Sequence, residues 1–293
     1  MSTITTSLKE HIEDFNREIA KIPTDFGDEE LYDEVKEKLF ESVKRSIGNE
    51  KRVGVLFSGG VDSVVVAQIA RKFAEVSCYT AGLDGSQDVE WARKAAREMG
   101  LEHKVRIIEH GEIPAYIKKV VGTIKEANIM KVGVGIPIFA SCEIAKEKRL
   151  LAGFGGEELF VGYAKFKKFS DWQDLQKKLW DGLYAIGWKD KYRDCLIASS
   201  LGKELRSPLL DLELIKTVMR VHPRYKIDDK QDKILLRKIG KEIGLPEFAY
   251  NRPKKATQYG SGIDKAIRRL AKENGYKNAQ MYLNTFLNKN ILI

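Results

Sequence analysis

Six consecutive residues, Ser-Gly-Gly-Val-Asp-Ser at positions 58–63, combine three oxygen-bearing side chains with two glycines. They follow an apolar, β-branched run at residues 52–57 and precede a segment with helical spacing, so we predict a strand, a turn and a helix N-terminus. Free backbone N–H groups at a helix N-terminus bind anions, and Gly59 and Gly60 let a phosphate approach the main chain. The stretch therefore predicts a phosphate-binding turn.

A simpler interpretation of this stretch is also open. Ser58 could only cap the helix, and the glycines could only tighten a strand-to-helix turn. The stretch differs from the G-x-x-x-x-G-K-S/T loop because it lacks the lysine that reaches the β- and γ-phosphates, and it differs from G-x-G-x-x-G. We therefore expect this turn to hold a different phosphate from those loops.

A second glycine-rich stretch ends in two adjacent acids. Residues 150–166, LLAGFGGEELFVGYAKF, have the pattern of a short strand, a glycine turn and a helix that starts at Glu157 and Glu158. Acids at that position can stabilise the helix dipole, or they can bind Mg²⁺ together with phosphate oxygens and water. Because neighbouring parallel strands end at the same edge of a sheet, we favour a magnesium site formed by Asp62 and Glu157.

The order of elements predicts the fold class. Strands are predicted at 52–57, 76–81 and 103–108, and they alternate with helices at 61–74, 88–100 and 112–128. Such alternation is typical of an α/β protein with a doubly wound parallel sheet. A helix at 137–148 and a short strand at about residue 150 follow, and we expect that strand to join the sheet beside the first one.

Helical segments flank this core on both sides. Residues 5–47 have the spacing of two amphipathic helices, and beyond residue 165 we find only helical spacing, so we expect the strands to stop there. We predict an N-terminal helical extension at 1–48, an α/β nucleotide-binding core at 49–165, and a C-terminal helical region at 166–293 that completes the active site.

Bulk properties narrow the function classes. The 293 residues include 51 Lys and Arg against 42 Asp and Glu, a net charge of +9 that suits anionic partners such as nucleotides or RNA. The charges alternate in sign along helical faces, however, which favours an ordinary solvated surface. Cys78, Cys142 and Cys195 are widely spaced and predict reduced, structural thiols. We expect a cytoplasmic protein without a membrane span or signal peptide.

The turn at 58–63 resembles the signature of the PP-loop ATP pyrophosphatases, which cleave ATP between the α- and β-phosphates. Further segments are similar, in the same order, to those of the synthetase domain of glutamine-dependent asparagine synthetase and its relative β-lactam synthetase. They are GLDGSQD (82–88), AGFGGEELFVGY (152–163), RSPLLD (206–211), DKILLR (232–237) and RPK (252–254). The resemblance covers roughly residues 50–262 and implies an adenine nucleotide alpha hydrolase-like fold.

The resemblance implies roles for individual positions, with ATP and Mg²⁺ as cofactors. Lys254 and Lys233 are implied to be catalytic: Lys254 would stabilise negative charge at the phosphates, and Lys233 would contact phosphate or substrate. Asp62 and Glu157 are the implied metal ligands. The implied nucleotide-binding positions are Leu56 and Gly153, which would border the adenine, and Ser58, Gly59, Gly60, Asp62 and Ser63, which would bind pyrophosphate. Arg206 and Asp211 match an element that we expect to be structural.

The sequence departs from the family pattern in three ways. Phe154 replaces a family glutamate that resembles a catalytic base or amine-positioning residue, and a phenyl ring can do neither. Glu157 replaces a metal-binding aspartate and can still bind Mg²⁺. Only 57 residues precede Ser58, whereas family members carry an N-terminal glutaminase domain. We therefore expect the amine to come from solution, from another substrate, or from a partner such as a separate glutaminase subunit.

The leading functional hypothesis is an ATP-dependent ligase that forms AMP and pyrophosphate. It would adenylate a small-molecule carboxylate, or an amide or other carbonyl oxygen, for attack by ammonia or another amine. One alternative is a PP-loop tRNA-modifying enzyme that adenylates a base carbonyl, with tRNA as partner. Another is a non-catalytic nucleotide-binding homologue, which Phe154 would suit.

Overall fold

A five-stranded parallel sheet forms the centre of the protein. The computed structural model describes residues 3–169, 171–252 and 257–288. The strands are β1 (Arg52–Leu56), β2 (Glu75–Gly82), β3 (Glu102–Ile107), β4 (Arg149–Leu151) and β5 (Glu204–Arg206). Their order across the sheet is β3-β2-β1-β4-β5, and every pairing is parallel. The strand order reverses direction at β1, which is the place where doubly wound sheets bind ligands.

Helices cover the sheet. They are α1 (Thr3–Ile19), α2 (Tyr32–Ile47), α3 (Val61–Ala70), α4 (Gln87–Met99), α5 (Ile113–Ile124), α6 (Ile129–Ile144), α7 (Gly156–Leu159), α8 (Trp172–Ile186), α9 (Tyr192–Ser200), α10 (Leu212–Arg220), α11 (Ile234–Glu242), α12 (Glu247–Asn251), α13 (Thr257–Gly260), α14 (Ile263–Glu273) and α15 (Ala279–Asn288). A π-helical turn, Gly187–Lys191, lies between α8 and α9. The prediction of a doubly wound parallel α/β fold is confirmed.

Burial explains why β1 occupies the middle of the sheet. Val53 and Val55 are fully buried, and α3, which follows the turn, buries Val64, Val66 and Ile69 completely. A strand with both faces covered needs apolar side chains at successive positions, and this is the pattern that β1 has. Strand, turn and helix thus follow from the local sequence, as predicted.

Two expectations about the fold are wrong. Strands do not stop at residue 165, because β5 pairs with β4 through three residues, too few to produce a recognisable pattern. The helix expected at 137–148 instead spans 129–144, since Asn128 caps it by accepting hydrogen bonds from the backbone N–H groups of Met130 (2.9 Å) and Lys131 (3.1 Å). The three-part division of the chain stays a prediction, but its third part contributes a strand to the sheet of the second.

The segment after β5 ties the N-terminal helices to the rest of the protein. Asp211 caps α10 by accepting from the N–H groups of Glu213 (3.1 Å) and Leu214 (3.2 Å), and it also accepts from Arg45 of α2 (2.7 Å). Arg206 pairs with Glu204 of its own strand. Both side chains thus make structural contacts, in keeping with the expectation from the sequence.

In the described part of the chain, no single helix is long and apolar enough to cross a membrane. One sharply bent pair, 110–124 with 129–144, meets the criteria of length and composition when its two halves are taken together.

Candidate active site

Hydrogen bonds between side chains and backbone hold the turn after β1. The backbone N–H of Gly60 donates to Ser58 Oγ (3.3 Å), the hydroxyl of Ser63 donates to the Gly60 carbonyl (3.0 Å), and the two serine oxygens lie 3.4 Å apart. Gly59 has a φ of +69°, and a Cβ there would lie 2.8 Å from the backbone of Trp91 and Ala92. The turn therefore needs glycine for its conformation and for its contact with α4.

A buried ion cluster lies at the first turn of α3. The Lys233 ammonium donates to Asp62 Oδ2 (2.5 Å) and to Glu157 Oε1 (2.6 Å). The Lys233 side chain is 1% exposed, against 14% and 13% for the two carboxylates. Three residues from distant parts of the sequence thus meet beside the turn, and two of them are the predicted metal ligands.

The electrostatics of the cluster favour a charged lysine. Burial alone would lower the pKa of Lys233, but attraction to Asp62 and Glu157 and the hydrogen bonds to both raise it above its ordinary value. Two carboxylates against one ammonium leave one negative charge in the cluster. Removing one member of such a buried group is strongly destabilising, because the remaining charges lose their compensation.

Glycines let the backbone approach this cluster closely. A Cβ at Gly156 would lie 2.3 Å from Asp62 Oδ1, and a Cβ at Gly162 would lie 2.2 Å from Lys233 Cε and 2.3 Å from Glu157 Oε2. Such distances are far below a normal van der Waals contact. The glycine-rich stretch after β4 therefore encloses the three charged groups rather than merely turning the chain.

The two adjacent acids of that stretch have different surroundings. Glu157 faces Lys233, whereas Glu158 accepts a hydrogen bond from the Tyr163 hydroxyl (2.6 Å). Burial raises the pKa of Glu158, and the Tyr163 hydrogen bond opposes that rise. Glu158 therefore stabilises the loop that follows α7, and Glu157 faces the cluster.

A second buried ion pair lies on the other side of the turn. Arg252 donates to Asp88 Oδ1 (2.6 Å), and its other terminal nitrogen, Nη1, donates to the carbonyl of Ser58. Both side chains are at most 5% exposed. The sequence places Asp88 in the GLDGSQD segment and Arg252 in the RPK motif, and it predicts no individual role for either residue. The available signal was the position of Arg252 in the RPK motif.

The remaining predicted site residues are placed as follows. Leu56 ends β1 and packs, partly buried, against the same apolar cluster as Phe154. Gly153 lies against Asp62, with a Cβ there 2.8 Å from Asp62 Cβ. Both positions thus border the turn, and their contact with adenine stays a prediction. Lys254 lies outside the described residues, and its catalytic role also stays a prediction.

The donor atoms fit a magnesium ion that is shared with a nucleotide. Among the described residues, no group of three or more His, Cys, Asp or Glu side chains could hold a metal alone. Asp62 Oδ1 is buried and accepts no hydrogen bond from any described residue. With Glu157 it supplies two carboxylates, and Mg²⁺ typically takes one or two carboxylates plus phosphate oxygens and water.

Fold and site together define a parallel α/β protein with a glycine-rich turn and a buried ion cluster at the carboxyl end of its central strand. A family model described as asparagine synthase matches residues 34–197 and 192–291. The chain belongs to this family, which confirms the resemblance found in the sequence.

Individual relatives have the same family name. Putative asparagine synthetase (glutamine-hydrolyzing) 1 of Methanocaldococcus jannaschii is 32% identical over 309 aligned positions, covering 91% of this chain and 57% of that protein. Asparagine synthetase B (glutamine-hydrolyzing) of Escherichia coli is 27% identical over 251 positions, covering 78% and 45%. The chain thus spans about half the length of these curated relatives. Among solved structures, NMN synthetase from Francisella tularensis has a TM-score of 0.45 at 17% identity, covering 90% of this chain and 94% of that one.

Proposed function

We propose that this chain is an ATP-dependent ligase that forms AMP and pyrophosphate. The observation that carries the proposal is the buried cluster of Asp62, Glu157 and Lys233 beside the glycine turn at 58–63. Carboxylates for a metal, a permanent cation and free N–H groups at a helix N-terminus are the groups that stabilise a departing pyrophosphate. Family membership and the names of the relatives support the same chemistry.

In the proposed reaction, an oxygen of the acid substrate attacks the α-phosphorus of ATP, and the bond to the β-phosphate oxygen breaks. The amine then attacks the carbonyl carbon, and AMP leaves. The turn residues Ser58, Gly59, Gly60 and Ser63 would bind the pyrophosphate. Lys233 and Lys254 would stabilise its negative charge, and Leu56 with Gly153 would border the adenine.

Asp62 and Glu157 would hold Mg²⁺ when the nucleotide is bound. The ion would neutralise phosphate charge and orient the phosphate oxygens. This assignment rests on the two carboxylates of the cluster and on the buried Asp62 Oδ1. The amine would be ammonia from solution or from a separate glutaminase subunit, and the reaction would take place in the cytoplasm.

The burial of the cysteines disfavours sulfur transfer as the reaction of the tRNA-modifying alternative. Cys78, Cys142 and Cys195 are all buried. Burial raises the pKa of Cys142 and Cys195 to about 12, so these thiols stay protonated and are poor nucleophiles at neutral pH. The experiment below distinguishes the ligase from an enzyme that transfers nitrogen to tRNA and from a non-catalytic nucleotide-binding protein.

The decisive experiment measures pyrophosphate and AMP formation from ATP with Mg²⁺. Candidate carboxylates are screened with ammonium, and bulk tRNA is tested separately. We expect release that depends on one acid substrate and that falls at least about 100-fold in Asp62→Asn, as for loss of one electrostatic group in an active site. Asp181→Asn, at an exposed position on α8, is the matched control and should behave as wild type.

Other results would reassign the protein. Release that requires tRNA and no free acid would make it an RNA-modifying enzyme. ATP binding without release under any of these conditions would refute the ligase proposal and favour a nucleotide-binding protein. Equal activity in Asp62→Asn and wild type would show that the cluster is not the active site.

A further inference from the structure

We propose that His103 and Thr80 are positioning residues that hold the turn at 58–63 in its anion-binding conformation. Neither residue belongs to the sequence motifs, and neither touches the ion cluster. The proposal deepens the proposed function, because it rests on phosphate binding by this turn. It is carried by a chain of side-chain contacts that runs across three strands.

The contacts meet at Phe57, the residue directly before the turn. Its N–H donates to the Tyr79 carbonyl (2.8 Å), and its carbonyl accepts the hydroxyl of Thr80, a buried residue of β2. Thr80 Oγ1 also lies 2.8 Å from Nε2 of His103 on β3. The last peptide group before the turn is therefore tied to β2 and, through Thr80, to β3.

The direction of these hydrogen bonds fixes the histidine tautomer. A carbonyl oxygen can only accept, so the single hydroxyl hydrogen of Thr80 goes to Phe57. His103 must then be the donor in its contact with Thr80 and carry its proton on Nε2. Burial, with a smaller effect from Arg93, lowers the pKa of His103 to about 4. The ring is therefore neutral at neutral pH, and the contact with Thr80 places its single N–H on Nε2.

The next carbonyl is held from the other side. The Ser58 carbonyl accepts from Arg252, which is itself paired with Asp88. Two consecutive peptide groups at the entrance of the turn are thus fixed by side chains from other elements. Because peptide groups are planar, fixing the carbonyls also fixes where the following N–H groups point. The N–H groups fixed in this way are those of Ser58 and Gly59, which lead into the turn, and the N–H groups that follow them at the N-terminus of α3 are the ones that an anion would meet.

Two pairs of variants test the hydrogen-bond chain that runs from His103 through Thr80 to the Phe57 carbonyl. Thr80→Val and His103→Phe remove the hydrogen-bond donors with little change in size, whereas Thr80→Ser keeps the hydroxyl and His103→Gln keeps an N–H donor. Amide hydrogen exchange of residues 57–63 is measured in the ligand-free protein. We expect exchange about tenfold faster in the first pair, the size expected for one lost buried hydrogen bond, and near wild type in the second.

Titration with inorganic pyrophosphate provides the second readout. Thr80→Val and His103→Phe should weaken its binding about five- to tenfold, and Thr80→Ser and His103→Gln should restore most of it, again as expected for one hydrogen bond. Helix α14 is the control segment, and its exchange should not change. Unchanged exchange at 57–63 in the first pair, or equal acceleration throughout the protein, would overturn the proposal.

The two proposals fail in different ways. If the wild-type protein binds neither ATP nor pyrophosphate, the proposed function fails, and the exchange comparison still decides whether His103 and Thr80 order the turn. If the wild type binds pyrophosphate and the first pair binds it equally well, the positioning role is refuted and the ligase proposal stands.

Discussion

Lys226 gives a stability prediction with a defined pH dependence. Its side chain is fully buried, and its ammonium donates to the Val218 carbonyl (3.1 Å). No described carboxylate forms an ion pair with it. Burial lowers its pKa from 10.5 to about 7. Lys226 should therefore destabilise the protein when it is charged.

The size and sign of the effect of Lys226 on the free energy of unfolding follow from proton linkage. Between pH 7 and 10.5 the unfolded chain binds the Lys226 proton and the folded protein does not, so the stability contributed by this site rises with pH. Each pKa unit is worth about 1.4 kcal/mol, so the cost is largest below pH 7, at about 5 kcal/mol, and disappears above pH 10.5. A Lys226→Met variant should be more stable than wild type, with an advantage that shrinks by about 1.4 kcal/mol per pH unit above pH 7.

Urea denaturation of both proteins from pH 6 to 9.5 measures this slope. Loss of the hydrogen bond to Val218 shifts the free energy of unfolding of the variant by a constant amount and does not change how the difference from wild type depends on pH. Lys177→Met, at an exposed position on α8, is the control and should differ from wild type by a constant amount. A pH-independent difference for Lys226→Met would refute the reasoning, since it would mean that the buried amine titrates as it does in water.

Three further substitutions test the site. Gly162→Ala should lower pyrophosphate release at least about tenfold in the assay proposed above, because its Cβ would lie 2.2 Å from Lys233 Cε. Arg252→Met should lower the free energy of unfolding by about 3–5 kcal/mol, measured with urea, because buried Asp88 loses its guanidinium partner. Phe154→Glu should destabilise by about 1–3 kcal/mol in the same assay, because a polar group would replace a ring packed on two apolar clusters. A variant that behaves like the wild-type protein would contradict the expectation for that substitution.

The sequence was sufficient where structure depends on neighbours in the chain. The strand, the turn and α3 follow from a short apolar run, two glycines and a helical pattern, and all three appear as predicted. The parallel sheet follows from the alternation of elements. β5 was missed because three residues, with one buried position, do not differ in pattern from a helix or a loop.

Long-range contacts could not be derived in the same way. Lys233 lies 171 residues from Asp62 and 76 from Glu157, and nothing local to any of the three predicts that one ammonium bridges both acids. The common edge of neighbouring strands predicts that Asp62 and Glu157 lie close together, and the motif order adds Lys233 to the same site, but neither predicts the pairing of one ammonium with both acids. Thr80 and His103 carry no motif at all, and their contact depends on the register of β2 against β3. Such residues are found from the register of neighbouring strands, not from their residue types.

The backbone of Lys233 supports a chemical role for its side chain. It has a φ of +54°, in the left-handed region that costs a residue with a Cβ about 1–3 kcal/mol at such sites. Glycine would adopt this conformation without strain, but it would leave Asp62 and Glu157 facing each other without a cation. The backbone conformation of Lys233 lowers stability, whereas Asp62 and Glu157 hold its buried ammonium in the charged form. A lysine at this strained position is therefore explained by the charge that it provides beside the turn.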